Sequence, residues 1–428
     1  MPPTPRRALP ALLALLAAAP FAAAADPKAP LKPGVRVAVV GDSITEQRLY
    51  SKYIADYLYA CVPDLHAHVV QFGWSGETAA GFAARVDNDL LPFKPDVVTL
   101  CYGMNDGGYR AYAPDIGQRY ERPLAEIVKK LKAAGATVVV GSPGVVDQHF
   151  FNRNRPGQTT PAVYNDNLGH LRDIAKTVAE TNGMPFANVH DAMAAAMKQG
   201  QAKLGDRYPV GGADGVHPAP NGQLVMAYAF LKAMDLDGDL GTITIDPKGQ
   251  STAENGHTII SARDGRVEVE SRRYPFCFTG GETDANGTRS ILPFVPFNRE
   301  LNRLTLVVKN APADKVKVTW GAESKVFTRD ELGKGVNLAA VFVKHPLAEA
   351  FARIDAKVAD QQSFQTVMIK NEITNHRSLR GAAKEDPALA DALAAVRERL
   401  WATEAKKDAA VKAAVTPVKH AITVEAAE

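Results

Sequence analysis

Val37-Ala38-Val39-Val40-Gly41-Asp42-Ser43-Ile44-Thr45 is the stretch on which the fold reading turns. Four apolar residues, three of them valine, predict a strand buried on both faces. Gly41 ends it, and residues 47–59 carry a helical pattern. Ser43 therefore falls on the turn from the C-terminal end of a strand into a helix. An open α/β sheet gathers its ligands there, and the first N–H groups of a helix have no intrahelical partner. Two readings of this serine stand side by side. It is a helix cap, satisfying one orphan donor, or it is a nucleophile. A nucleophile needs a base, a group to orient the base, and donors for an oxyanion.

Outward from that stretch, strand-like and helical runs alternate as far as Met234. Strands are predicted at 35–40, 66–72, 96–102, 137–141 and 185–189. Amphipathic helices lie between them, such as 123–134 with Leu124, Ile127, Val128 and Leu131 on one face. This alternation predicts a mainly parallel sheet with helices on both faces, a three-layer α/β/α sandwich. Loops that follow parallel strands share one edge of the sheet with Ser43. One holds Gly73-Trp74-Ser75-Gly76-Glu77-Thr78, in which Gly76 is a turn glycine or a bare backbone N–H facing a ligand. The next holds Gly103-Met104-Asn105-Asp106, in which Asn105 is a turn asparagine or an amide donor to an oxyanion. Later comes Asp214-Gly215-Val216-His217-Pro218, just before an apolar helical run at 222–234. His217 is a loop histidine or a general base. Asp214 is a helix cap or the group that fixes the His217 tautomer. Asp191 is a rival acid for which a structural role is expected.

Together, Gly41-Asp42-Ser43, Ser75-Gly76-Glu77-Thr78, Gly103-Met104-Asn105-Asp106 and Asp214-Gly215-Val216-His217-Pro218 resemble, in order, the motifs of the SGNH hydrolase superfamily, the GDSL-type esterases and lipases. The resemblance covers residues 35–236. It implies Ser43 as nucleophile, His217 as base and Asp214 as its partner. It further implies an oxyanion hole built from the Ser43 and Gly76 N–H groups and the Asn105 amide, and chemistry that needs no metal or cofactor. The chain departs from many relatives in carrying Gln71-Phe72-Gly73 where they have an asparagine. It also departs in everything after residue 236. The Gly-x-Ser-x-Gly elbow of α/β-hydrolases does not surround Ser43.

The chain has 428 residues. Arg6 and Arg7, an apolar run at 8–21 and Ala23-Ala24-Ala25 form a signal peptide, cleaved near Ala25, too short to span a bilayer. A secreted or periplasmic protein without an integral membrane segment is expected. Its 50 basic and 47 acidic residues leave a net charge of only +3, which does not suit a nucleic-acid partner. Cys61, Cys101 and Cys277 are too few for a disulfide scaffold and lack metal-site spacing. The expected organisation is a leader at 1–25, a catalytic domain at 26–236, a β-rich unit at 237–335 and a helical segment at 336–428. In the β-rich unit Asp264-Gly265 marks an antiparallel hairpin, and Tyr274, Phe276, Phe278, Phe294 and Phe297 are a core cluster or a sugar-stacking surface. Residues 416–428 show no firm pattern and are expected to fray. The function that follows is an exported serine esterase acting on small-molecule or polysaccharide esters, with acetylated carbohydrate as a candidate substrate. The alternatives are an O-acyltransferase or lysophospholipase on the same triad, or a non-catalytic glycan-binding protein.

Overall fold

A computed structural model of the chain describes Met1 and residues 28–29, 31–151 and 159–427; apart from Met1, the expected leader lies outside the described residues. Strands β1 (Arg36–Gly41), β2 (His68–Gln71), β3 (Val97–Cys101), β4 (Thr137–Gly141) and β5 (Phe186–Ala187) form a parallel sheet in the order β2-β1-β3-β4-β5. Burial on both faces leaves Val37, Val39, Val98, Val138 and Val140 without solvent contact. Register sets Gly41, Cys101 and Gly141 in one row at the C-terminal edge, so the loops after these strands open onto a common rim. The expected α/β/α sandwich is the fold of this half.

The helix expected over 47–59 begins earlier and is broken. Ser43–Glu46 forms one short turn, Arg48 takes a left-handed φ of 59°, and the chain restarts as Tyr50–Asp56. The Gln223 side chain, from the Pro220–Ala233 helix, accepts the Tyr50 N–H at 3.1 Å and caps the restart. A cap from 173 residues away leaves no local sequence signal.

Beyond the sandwich, nine further strands lie in two sheets among the described residues. β6 (Asp239–Ile245), β7 (Thr252–Ala253), β10 (Arg303–Val308) and β13 (Val336–Asn337) make the first, ordered β13-β10-β6-β7. It is mixed, not antiparallel as expected, because β10 runs parallel to β6. β8 (His257–Arg263), β9 (Arg266–Ser271), β11 (Lys315–Trp320), β12 (Glu323–Thr328) and β14 (Val418–Ala426) make the second, ordered β12-β11-β14-β9-β8. Asp264 and Gly265, at φ 49° and 76°, turn β8 into β9 as the hairpin required. Residues 418–426, expected to fray, form a strand. β14 is the central strand of this sheet, with His420, Ile422 and Val424 turned inward at period two. A histidine in the inward set masked that alternation. The segment after 335 is thus helical only until it returns to the β-rich unit. The aromatics form neither a sugar platform nor a core private to that unit. Phe276 packs edge-on against Tyr53 and Phe351, and Phe297 against Tyr57, so they seam the β-rich unit to the catalytic half.

The C-terminal helices close the open side of the parallel sheet. β2 is an edge strand, and its outward peptide groups need partners once covered. Tyr59 Oη accepts the Val69 N–H at 3.1 Å. Gln365, at the end of the Ala348–Thr366 helix, accepts the Gln71 N–H at 3.0 Å and donates to the Val69 carbonyl at 2.9 Å. One side-chain amide replaces a neighbouring strand. Trp401, on the Pro387–Ala413 helix, stacks on Phe93 at 5.6 Å.

Two predictions follow from this packing. Gln365→Leu leaves two buried peptide groups without partners, so unfolding by denaturant should show a loss on the order of 2–6 kcal/mol; an unchanged midpoint would refute the edge-capping role. The second concerns a buried chain of hydrogen bonds. Trp320 Nε1 donates to His420 Nδ1, His420 Nε2 meets Ser271 Oγ, Ser271 Oγ meets His257 Nδ1, and His257 Nε2 donates to the Leu240 carbonyl. The Trp320 donor requires an unprotonated Nδ1 and hence a neutral ring at His420, and burial favours the neutral form of His257 as well. Burial, then the nearby His257 and His345 rings, pushes His420 down to about 4, and burial does the same to His345, stacked on Trp320. Their folded values lie below the ordinary 6.5, so their contribution is complete above 6.5 and is lost as pH falls towards 4. Asp42 and Asp106, raised by burial to about 7 and about 6, pull the opposite way over the same range. The readout is therefore a difference. The Tm of His345→Phe, relative to wild type, should rise as pH drops from 6.5 to 4, and a flat difference would count against the histidine assignment.

Candidate active site

Ser43 is not the helix cap. Asp42 is: its Oδ1 accepts the Ile44 N–H at 3.0 Å, which leaves the Ser43 hydroxyl free to point over the rim. His217 Nε2 lies 2.8 Å from Ser43 Oγ although the two are 174 residues apart. On the other side of the ring, His217 Nδ1 donates to Asp214 Oδ2 at 2.7 Å. Because a carboxylate accepts at Nδ1, Nε2 is left as an acceptor for the serine O–H.

Asp214 does not cap the following helix either. Its Oδ1 takes the N–H groups of Val216 and His217, each at 2.9 Å, so the carboxylate folds its own turn and aims the ring in one motion. Burial works to raise the Asp214 carboxyl, but the His217 ring and these two N–H groups outweigh it and hold it well below the usual range. Asp191 is elsewhere, in an ion pair with Arg172 at 2.6 Å and beside His190, which is the structural role expected of it.

The other two expected donors border the same rim. Gly76 sits in an exposed turn at φ +74°, a conformation that favours glycine, with open space where a Cβ would point. The Asn105 amide donates to the Glu77 carbonyl at 3.0 Å and, at a longer 3.4 Å, to Asp42 Oδ2. Asp42 is fully buried. That burial, with Asp106 and Glu77 nearby, lifts it to about 7 against the pull of the Ile44 N–H and His217.

Several supporting residues escaped the sequence reading. Glu77 receives both Nε and Nη2 of buried Arg85 at 2.7 Å and the Tyr102 hydroxyl at 2.6 Å, fixing the loop beyond Gly76. Asp106 accepts from the N–H groups of Ala79 and Gly103, tying two rim loops together. Both lie inside the quoted motifs, so the signal was present and the role was not. Glu46, three residues after Ser43, accepts Ser75 N–H at 2.5 Å, Ser75 Oγ at 2.6 Å and Lys370 Nζ at 2.7 Å. No pattern in the sequence points to Lys370. A cleft of roughly 530 Å³ opens above Ser43, Asp214 and His217, walled by Glu46, Gln47, Ser75 and Ala213. All three cysteines are free, and among the described residues no His, Cys, Asp or Glu cluster is arranged to hold a metal ion.

Residues 39–225 match the GDSL-like Lipase/Acylhydrolase family. The chain is similar to an acetylxylan esterase of Geobacillus stearothermophilus, 25% identical over 226 residues, which is 48% of this chain and 95% of that protein. Among solved structures, a gut microbial diltiazem-metabolizing enzyme aligns with a TM-score of 0.73 and 21% identity over 94% of this chain and 100% of its own. At that identity the likeness speaks for the fold, and its reach takes in the β-rich unit and the C-terminal helices. Catalytic-half topology, rim geometry and family match agree on one segment: residues 39–225 are a GDSL-type acylhydrolase unit.

Proposed function

We propose that this enzyme is an exported serine esterase that removes short acyl groups, acetyl first among them, from hydroxyl-rich substrates such as carbohydrates. The observation that carries the reaction is the relay Ser43 Oγ to His217 Nε2 at 2.8 Å and His217 Nδ1 to Asp214 Oδ2 at 2.7 Å. His217 takes the Ser43 proton as Oγ attacks the ester carbonyl, and Asp214 stabilises the imidazolium. Donors for the tetrahedral oxyanion are the N–H groups of Ser43 and Gly76 and the Asn105 amide. The weaker Asn105 bond, the one to Asp42 at 3.4 Å, is the one exchanged for the oxyanion. His217 then protonates the leaving alkoxide, and water activated by the same ring hydrolyses the acyl-enzyme.

The substrate reading rests on the walls of the cleft. Among the described residues that wall the cleft, Ala213 is the only aliphatic side chain beside Glu46, Gln47, Ser75, Asp214 and His217, and such polar walls suit a polyol better than a long acyl chain. The acetylxylan esterase similarity supports the acetyl and carbohydrate parts of this reading. Export rests on the charged and apolar leader at residues 6–25.

Ser43→Ala should reduce hydrolysis of p-nitrophenyl acetate to below about a thousandth of wild type. Equal rates would remove Ser43 from the chemistry. Asn105→Ala should lower kcat by about 100- to 1,000-fold with little change in KM, the usual result of losing one oxyanion donor. Across p-nitrophenyl esters, kcat/KM should fall from acetate to octanoate. A preference for octanoate would overturn the short-acyl reading.

A further inference from the structure

We propose that Lys370 is a positioning residue for ester hydrolysis: through Glu46 it holds Ser75, and so fixes the Gly76 N–H where the oxyanion forms. The inference rests on the roles proposed above for Ser43 and Gly76, and adds a group from outside the family-matched segment.

Ser75 and Gly76 lie exposed at the tip of a turn that the Glu77 N–H closes onto the Trp74 carbonyl at 3.1 Å, with Gly76 at φ +74°; Ser75 itself is anchored from outside the turn. Oxyanion donors lower a barrier only when they are aimed before the charge develops. The aim comes from Glu46. Its Oε2 accepts both the N–H and the hydroxyl of Ser75, at 2.5 and 2.6 Å, which fixes the Trp74–Ser75 peptide and the Ser75 side chain, one residue before Gly76. Both of its oxygens also accept from Lys370 Nζ, at 2.7 and 2.8 Å. Burial works to raise this carboxyl, but Lys370 and Ser75 outweigh it and keep it ionised.

The ammonium has a second effect. Glu46 borders the same cleft as Ser43, so without a counter-ion its charge would repel the oxyanion developing there. Paired with Lys370, it presents a neutral unit. The same cation lies over the Trp74 ring at 5.3 Å, and Trp74 directly precedes Ser75.

The helix that carries Lys370 is itself fixed against the catalytic half. Residues Val367–Ile373 form a π-helical turn, a local widening that re-aims side chains and recurs at functional sites. Ahead of it, Thr366 Oγ1 accepts from Gln71 Nε2 at 2.7 Å while Gln71 Oε1 accepts the Gly73 N–H at 2.9 Å, tying the start of the same loop. Behind it, Thr374 Oγ1 donates to Asp89, and the Ile373 carbonyl accepts from Asn88. Gln71 has its long side chain engaged in this tie.

The test is a set of variants assayed on p-nitrophenyl acetate and by binding of methylboronic acid, which becomes tetrahedral on a serine oxygen. Lys370→Met should lower kcat about tenfold or more, change KM less than about threefold, and weaken boronate binding by a factor similar to the kcat loss, with Lys370→Arg restoring most of it. In a Glu46→Gln background, where no carboxylate remains to be held or neutralised, the same Lys370→Met change should cost less than about threefold. Wild-type kcat in Lys370→Met, a loss confined to KM, or equal losses in both backgrounds would overturn the proposal. Should Lys370→Met fail to fold, Ser75→Ala carries the test at an exposed position: lower kcat at unchanged KM is expected, and unchanged kcat overturns it. Ser43→Ala separates the two ideas. If it stays active, the nucleophile assignment has failed; if it is inactive while Lys370→Met is unimpaired, only the role of Lys370 has.

Discussion

A buried sheet edge with unpaired peptide groups is the constraint to which the rest of this molecule answers. The parallel sheet stops at β2, and Val69 and Gln71 turn a carbonyl and an N–H outward there. Leaving them buried and unmet would cost about 1–3 kcal/mol each. The Gln365 amide supplies an acceptor and a donor at the spacing of a neighbouring strand. Its helix can do this only by lying along β2, and that placement brings the π-helical turn to the rim of the sheet. Edge protection and site geometry are therefore one arrangement.

The docking is polar as much as apolar. Glu404, fully buried on the Pro387–Ala413 helix, accepts from His68 at 2.7 Å and from the amides of Gln361 and Gln365 at 2.9 Å each. A buried carboxylate needs this many donors to remain charged. Such a network specifies one seating of the helices, because a shift by one turn would leave Glu404 and the β2 edge unmet together. On the opposite flank the aromatic seam of Phe276, Phe297, Tyr53 and Tyr57 joins the β-rich unit by shape and burial. The catalytic half is thus held from both sides, and its rim loops are supported by residues that lie hundreds of positions away.

At the rim, charge is balanced by the same logic. Asp42, Glu77, Asp106 and Glu46 all lie close to where an oxyanion would form, yet each is neutralised or engaged differently. Burial favours the proton on Asp42, Arg85 faces Glu77, backbone N–H groups serve Asp106, and Lys370 serves Glu46. An acidic neighbourhood becomes usable for anion chemistry only through these counterweights.

Much of the catalytic half was legible in the chain alone because its signals are local. A run such as Val138-Val139-Val140 identifies a doubly buried strand by composition, and Asp264-Gly265 identifies a hairpin by its backbone preferences. Ser43, Gly76 and Asn105 announce themselves because each sits in a short motif after a strand end, and parallel topology sends such loops to one edge; Asp214 and His217, in the loop between the Val189–Leu204 and Pro220–Ala233 helices, announce themselves by their spacing. What remained hidden depends on partners distant in sequence. The break at Arg48 is capped by Gln223, β14 finds its place only between β9 and β11, and Lys370 gains meaning only once it meets Glu46. Local propensity and periodicity determine which residues become strands, turns and rim loops; the pairing of buried polar groups across the fold, decided only when the chain has packed, determines which of them work together.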